Sequence, residues 1–550
     1  MTSASSPLTN RGIARAALTV LVGFLASGVL GLVRQAILSA TFGTGVASDA
    51  FLTAQRIPEL VYNLVAGGAL GSAFIPVFAR YLREDDDRDA WRLASAVITL
   101  ASLVAAVASL IVLILAPWLV SQFLAPGRDP AVQALITDLT RIMMLTPFIF
   151  SISGLLMGIL QTFGSFLLPS LAVSMNSIGI IIGALLLAYW IPAPADSLEV
   201  VNGANVYGLA WGAVLSAILH LLVQVPGLLR LPMGQGNDGR NRPALYLRPL
   251  LDWRITGVRE VLLLMGPRVL GLGIAQLNFI VNASFASSMI AGSYTALTVA
   301  WTLMFTALGV IGQSAGTAVF PTLSRLAADG DMDGYKDRLA AVLRSVLFLA
   351  LPVTAGMILF GQPVIALLFE RREWTPESTA AAAWALAFYG LGLVGHAGLE
   401  VLSRAFYALS DTRTPVVVGV ISLLTNIVLS MVFIRFIGDP TQLAAGPFAG
   451  LALANSVTTL VEALALWWLL RRRIGSIQDA RVWDALLRTL AATGVLVAVL
   501  LLARSLNQPP LLTALGGSAL GALAFFGAAY YLKLEEVRLV LGAVLRRFKR

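Results

Sequence analysis

The sequence predicts an all-α integral membrane protein: about fourteen transmembrane helices, in two pseudo-symmetric six-helix lobes plus two C-terminal helices. Three observations lead there. Mean hydropathy is +0.84 and only 12% of residues are charged, against roughly 25% in soluble domains. Apolar runs use up most of the 550 residues, leaving no room for a sizeable soluble domain. Tracts of the first half recur in the second.

A bilayer core about 30 Å thick needs about 20 helical residues, more when the helix is tilted. Runs meeting that length and bounded by Gly, Pro or charge clusters lie at 15–42, 48–80, 90–123, 131–161, 164–192 and 203–231. They form the first lobe, 1–231. The run after Arg15 is longer than a signal-peptide core and leads straight into another apolar segment, so it reads as a retained first span. A basic linker covers 232–255. Runs at 256–289, 293–326, 335–369, 376–408, 413–436 and 445–472 form the second lobe, 256–473. Residues 474–550 hold two extra helices, 482–504 and 510–533, and the tail "LVLGAVLRRFKR", a basic amphipathic anchor for the inner leaflet.

Charge orients these spans. Arg11 and Arg15, "RYLREDDDRDAWR" (80–92), the 230–259 linker, "RRRIGSIQDAR" (471–481) and the tail "RRFKR" fall on one side. The opposite loops "IPAPADSLEVVNG" (191–203) and "FIGDPTQLAAG" (436–446) carry no Lys or Arg. The bias places both termini in the cytoplasm, as an even number of spans requires. The loop "ERREW" (370–374) breaks it.

The repeat is local but specific. "GSAFIPVFARYL" (71–82) parallels "GTAVFPTLSRLA" (316–327), setting Pro76 opposite Pro321 and Arg80 opposite Arg325. "ILQTFGSFLLPSLAV" (159–173) parallels "FYALSDTRTPVVVGV" (406–420), setting Pro169 opposite Pro415. Six helices separate the copies, so both start from the same membrane face. Parallel repeats of this kind are transporter architecture.

Composition also excludes chemistry. The chain has no cysteine, which rules out disulfides and thiolate sites, and its two histidines, His220 and His396, are too few for a histidine metal cluster. No hydrolase triad or phosphate loop stands in a credible context; "GLGIAQ" (271–276) lies inside an apolar run. A transporter rather than an enzyme is expected, with no cofactor and no metal. The net charge of +9 sits in short loops, which membrane topology explains better than nucleic acid.

The informative residues are charges inside spans. Each costs about 2.5–3.5 kcal/mol at the bilayer centre and so faces a bundle interior or a wet cavity. "SDAFLTAQRIPEL" (48–60) puts Asp49, Arg56 and Glu59 on one face of a continuous helix. Arg34 lies in "GLVRQAI", Arg268 in "LMGPRVLG", and His396, Glu400 and Arg404 form a second-lobe polar stripe at i, i+4, i+8. Structural readings stand beside the functional ones. Arg34 and Asp49 fit an inter-helical ion pair, and Arg56 and Glu59 a surface i,i+3 pair. Arg268 fits a snorkelling arginine, the second-lobe stripe inter-helical glue, and His220 a packed core residue. Asp411 and its neighbouring threonines match a cation site only generically.

The tract 27–82, from "SGVLGLVRQAI" to "FIPVFARYL", closely resembles the opening signature of the lipid II flippase family (MurJ/MviN), within the multidrug, oligosaccharidyl-lipid and polysaccharide exporter superfamily. "RAFYALSDTRTPV" (404–416) is similar to that family's second-lobe signature and "MGPRVLG" (265–271) to its seventh-helix start. The resemblance implies two lobes around a cationic cavity that alternates between membrane faces. Its cargo would be undecaprenyl-pyrophosphate carrying a peptidoglycan disaccharide-peptide, with cell-wall synthesis machinery as a partner. Arg34 matches the family's functional first-helix arginine, Asp49 its second-helix acid and Arg56 a basic position. Guanidinium forks suit phosphate oxygens, and Arg268 would add a further charge. The chain departs from the pattern at Gln35, where an acid is usual, and at Tyr62 and Asn63, where an arginine pair is. It departs again at Trp301 and Thr302, where an acid–arginine pair is usual. The readings that follow are a lipid II flippase, a flippase or exporter for another polyprenyl glycan or amphiphile, and a non-transporting cell-wall scaffold.

Overall fold

The computed structural model describes residues 10–65, 68–83, 87–194, 197–231, 247–506 and 512–537, without the side chains of 10–25, 68–72, 83, 87 and most of 266–275. Most of the basic linker, the C-terminal tail and the Arg268 side chain lie outside the described residues. The fold is all-α; the sole sheet among the described residues is a hairpin pairing β1 (Val200–Val201) with β2 (Ala204–Asn205). Among the described residues, eleven helices are long and apolar enough to cross a membrane, from Arg88–Leu124 to Thr513–Tyr531. Three further helical segments are α1 (Asn10–Phe42), the interrupted 46–83 stretch and α12 (Thr256–Ser287). These three carry Arg34, Asp49, Arg56, Glu59 and Arg268.

The second expected span is not one continuous helix. It is built of α2 (Val46–Ala54), α3 (Arg56–Val65) and α4 (Gly68–Arg83), with a break at Gln55. Pro58 causes it: proline lacks the N–H that would bond the carbonyl four residues back, that of Ala54. Thr140 Oγ1 faces that carbonyl at 3.4 Å, a long contact, beside its shorter bond of 2.7 Å to the carbonyl of Ile136.

The chain divides into two compact units, residues 1–288 and 289–550. The seventh helix, grouped by sequence with the second lobe, packs in the first unit against α3 and α4. A strap ahead of it is fixed there too. The N–H groups of Arg248 and Leu250 donate to the Ser95 and Thr99 hydroxyls of α5 (Asp87–Leu119). The N–H of Gly257 donates to the Tyr81 hydroxyl, and Arg80 holds Glu260. The core of this unit runs through stacked rings: Phe74 and Phe78 at 5.1 Å, Phe78 edge-on to Trp91 at 6.1 Å, and Trp91 on Phe163 at 6.4 Å.

Water does not drive helices together inside lipid, so small residues that let backbones approach matter more. In unit 1, α8 (Leu167–Ile182) and its π-helical continuation at 183–187 meet α10 (Tyr207–Leu222) through "GIIIG" (179–183) and "GLAWG" (208–212). A Cβ on Gly183 would stand 2.7 Å from Gly212 Cα, so only glycine permits this approach.

Unit 2 contains α13 (Ser293–Leu308), α14 (Ser314–Ala328), α15 (Met332–Phe369), α16 (Pro376–Ala408), α17 (Arg413–Phe436), α18 (Ala449–Ile474), α19 (Asp479–Ser505) and α20 (Ser518–Tyr531). The two C-terminal helices lie on α15, where Phe348 and Phe360 pack with Leu496, Leu500 and Phe525. The anomalous "ERREW" loop spends its charge locally. Arg371 caps α15 by donating to the carbonyls of Leu368 (3.0 Å) and Leu367 (3.1 Å), and Glu370 accepts from Thr379 at 2.8 Å. Trp374 is buried and donates to the same threonine.

Candidate functional site

In unit 1 the structure gathers three of the expected residues. Arg56, at the start of α3, donates through Nη1 to Glu59 Oε2 at 2.9 Å, and its guanidinium lies 5.5 Å from the centre of the Phe279 ring of α12. Arg34, half-buried on α1, feels the Glu59 charge. The Glu59 carboxylate therefore pairs with Arg56, beside the Phe279 ring, and its charge also acts on Arg34 from another helix. Such a cluster keeps an excess of positive charge where desolvation makes it expensive, which suits it to take up an anion.

Asp49 also has a partner outside this group. The break at Gln55 divides the expected stripe, and Asp49, buried on α2, pairs at 3.9 Å with Arg128 from the turn after Leu124 rather than with Arg34. Arg128 had no sequence signal, because nothing local ties a loop arginine to an acid almost eighty positions earlier. Arg268 lies eleven positions from Phe279 along α12, roughly 16 Å at 1.5 Å per residue. Among the departures from the family pattern, Tyr62 packs on Phe150 at 5.1 Å, and Trp301 packs on Tyr389 and His396 at 5.3 and 5.7 Å. Aromatic surface stands where the resemblance expects charge.

In unit 2 the spacing of His396, Glu400 and Arg404 brings all three onto one wall of a cavity of about 450 Å³. Arg404 Nη1 pairs with the Glu400 carboxylate and also donates to the Glu400 carbonyl at 2.7 Å. His396 Nε2 lies 2.9 Å from Asn455 Oδ1; because that oxygen only accepts, Nε2 carries the proton. A second cavity, about 430 Å³, is apolar and lies among α15, α16, α19 and α20, with Met357, Phe360, Leu500 and Phe525 in its wall.

Two remaining residues have structural partners. His220 Nδ1 meets Ser153 Oγ at 2.6 Å, Gln224 joins the same hydroxyl at 2.7 Å, and Phe150 packs edge-on to the imidazole. Asp411 accepts from the Thr414 N–H and hydroxyl and from Arg473 Nη1 at 2.5 Å. An arginine already fills the place a cation would take. Among the described residues no group of three or more His, Cys, Asp or Glu is placed to hold a metal ion.

A multi-pass α-helical fold with paired charges held inside its spans has the form of a membrane transporter. A profile described as "Lipid II flippase MurJ" matches residues 38–515. The lipid II flippase MurJ of Burkholderia cenocepacia is 32% identical over 85% of this chain and 86% of its own length. The probable lipid II flippase MurJ of Bdellovibrio bacteriovorus is 30% identical over 96% of both. The chain belongs to the lipid II flippase MurJ family. Solved structures share the fold: a lipid II flippase MurJ in an inward closed conformation superposes with a TM-score of 0.75 at 21% identity, covering 94% of this chain and 99% of that one. An inward-facing multidrug resistance MATE family transporter superposes with 0.59 at 16% identity, over 82% and 96%.

Proposed function

We propose that this protein moves lipid II, the undecaprenyl-pyrophosphate-linked peptidoglycan precursor, across the bacterial cytoplasmic membrane by alternating access, with transport rather than catalysis as its activity. The observation that carries this reading is the Arg56–Glu59 pair, whose carboxylate charge also acts on Arg34. With the site empty, Glu59 compensates Arg56 directly and acts on Arg34 through its charge. A pyrophosphate replaces it with more charge and better geometry, since guanidinium forks bind phosphate oxygens in pairs. Arg268 is proposed as a further phosphate contact and Asp49 as a support that fixes α2 through Arg128. The apolar cavity of unit 2 offers almost no hydrogen-bonding groups and suits an isoprenoid chain rather than a headgroup. Both termini are assigned to the cytoplasm, all fourteen helical segments to the membrane, and cell-wall synthesis enzymes to the list of partners.

Rescue of a strain depleted of its lipid II flippase tests the reading. The parent chain restores growth, and Arg34→Ala and Arg56→Ala abolish it at equal membrane abundance. Rescue by both charge-neutral variants would turn the conclusion to a non-transporting scaffold. A second cargo class is favoured by Tyr62 and Trp301, which set aromatic rings where charges are expected. Failure to rescue, with movement of another polyprenyl-linked glycan in vesicles, would select it.

A further inference from the structure

The cavity of unit 2 has a chemistry unlike that of the arginine cluster. Its lining includes His396, Glu400, Ser403, Arg404, Tyr407 and Phe320. The charges are already spent on each other, because Arg404 Nη1 contacts both the carboxylate and the carbonyl of Glu400. Packing holds them so. Gly316 on α14 leaves the room, since a Cβ there would stand 2.9 Å from Arg404 Nη1 and 2.9 Å from the Glu400 carbonyl oxygen. A phosphate entering this cavity meets the Glu400 carboxylate, and a cation meets the Arg404 guanidinium. Both are disfavoured by like charge.

What remains is a mixed set of donors and acceptors. The second carboxylate oxygen accepts, the other guanidinium N–H groups donate, and the Ser403 and Tyr407 hydroxyls do both. With Nε2 of His396 committed to Asn455, Nδ1 is left as an acceptor. Phe320 and Tyr407, 38% and 40% exposed, add ring surface at the cavity. A volume of about 450 Å³ falls within the usual range for small-ligand pockets. A neutral ligand whose every polar group can both donate and accept, and which has an apolar C–H face for a ring, satisfies all of these constraints. The geometry points to a saccharide subsite in unit 2, built by α14 and α16, that takes an uncharged sugar ring of a lipid-linked glycan. Assigning that sugar to the cargo rests on the flippase reading; the existence of the subsite does not.

The test uses the full chain in phospholipid nanodiscs prepared without sugar-headed detergents, with N,N′-diacetylchitobiose as probe and ligand-observed NMR as readout. The parent binds saturably, inorganic pyrophosphate does not displace the probe, and Glu400→Gln and Tyr407→Phe each weaken binding about tenfold. Tyr407→Phe removes a single hydroxyl and keeps the ring, so it decides the matter where Glu400→Gln fails to fold. Absence of binding, equal binding by both variants, or displacement by pyrophosphate overturns the proposal. Vesicle assays then separate cargo from bilayer glycolipid as the source of the sugar. If the sugar is part of the cargo, Tyr407→Phe slows movement of lipid II but not of sugar-free undecaprenyl-pyrophosphate. Equal slowing of both removes the cargo assignment. A parent that binds chitobiose and moves neither lipid keeps the subsite and loses the flippase reading; one that moves both and binds no chitobiose does the reverse.

Discussion

At the scale of single residues, Glu59 is the side chain whose removal is most informative. It neutralises Arg56 at 2.9 Å and acts on Arg34, so it competes with any incoming anion. Glu59→Gln keeps the shape and removes the competitor. Calorimetry should find inorganic pyrophosphate binding about tenfold more tightly, near 1.4 kcal/mol; unchanged affinity would mean that the carboxylate does not occupy the anion's place. Asp411 makes a separate prediction. The Thr414 N–H, then its hydroxyl and the Arg473 guanidinium, hold this carboxyl below the ordinary aspartate range. A depressed folded value stabilises the protein above the unfolded pKa, near 4, and that contribution fades as pH falls through the lower folded value. Asp411→Asn should therefore cost about 1 kcal/mol at neutral pH, the size of a helix-capping bond. The gap in thermal unfolding between the two proteins should narrow as pH falls below the unfolded pKa. A gap independent of pH would show that charge plays no part.

At the scale of elements, the glycine pairs of α8 and α10 make the clearest prediction. Gly183→Leu forces a side chain into a space where even a Cβ would sit 2.7 Å from Gly212 Cα. Overpacking of this kind costs about 1–3 kcal/mol, and a glycine contact between backbones belongs at the upper end. A clear drop in unfolding temperature is expected for Gly183→Leu, but not for Gly494→Leu, whose Cβ would meet nothing within 4 Å. Both "GIIIG" and "GLAWG" are plain in the sequence, yet each needs its partner helix to gain meaning. The same limit explains the rest. The i, i+4, i+8 spacing on α16 was legible because a helix alone sets it, whereas Phe320 reaches that cavity, and Gly316 the Arg404 side chain, from α14. Charges in apolar runs were legible because lipid makes them costly; their partners were not, since Asp49 meets Arg128 only through tertiary packing. Pro58 did announce the break at Gln55, but hydropathy across 48–80 outweighed it.

For the whole molecule, the number of membrane crossings decides which loops share a side. Eleven helices satisfy length and apolarity among the described residues, and an odd number would put the two ends on opposite faces. Fourteen crossings put them on the same face, and the difference lies in α1, the 46–83 segment and α12. The chain contains no cysteine, so any introduced one is a unique label. If α12 crosses, Arg254→Cys before it and Ser288→Cys after it react from opposite faces with a membrane-impermeant maleimide on intact cells. Ser288→Cys should label together with Asp129→Cys, Ser197→Cys and Thr441→Cys. Arg254→Cys and Ser476→Cys should label only after permeabilisation, as the basic loops of the cytoplasmic face require. Labelling of Arg254→Cys and Ser288→Cys from one face would take α12 out of the membrane, and the phosphate contact assigned to Arg268 would go with it.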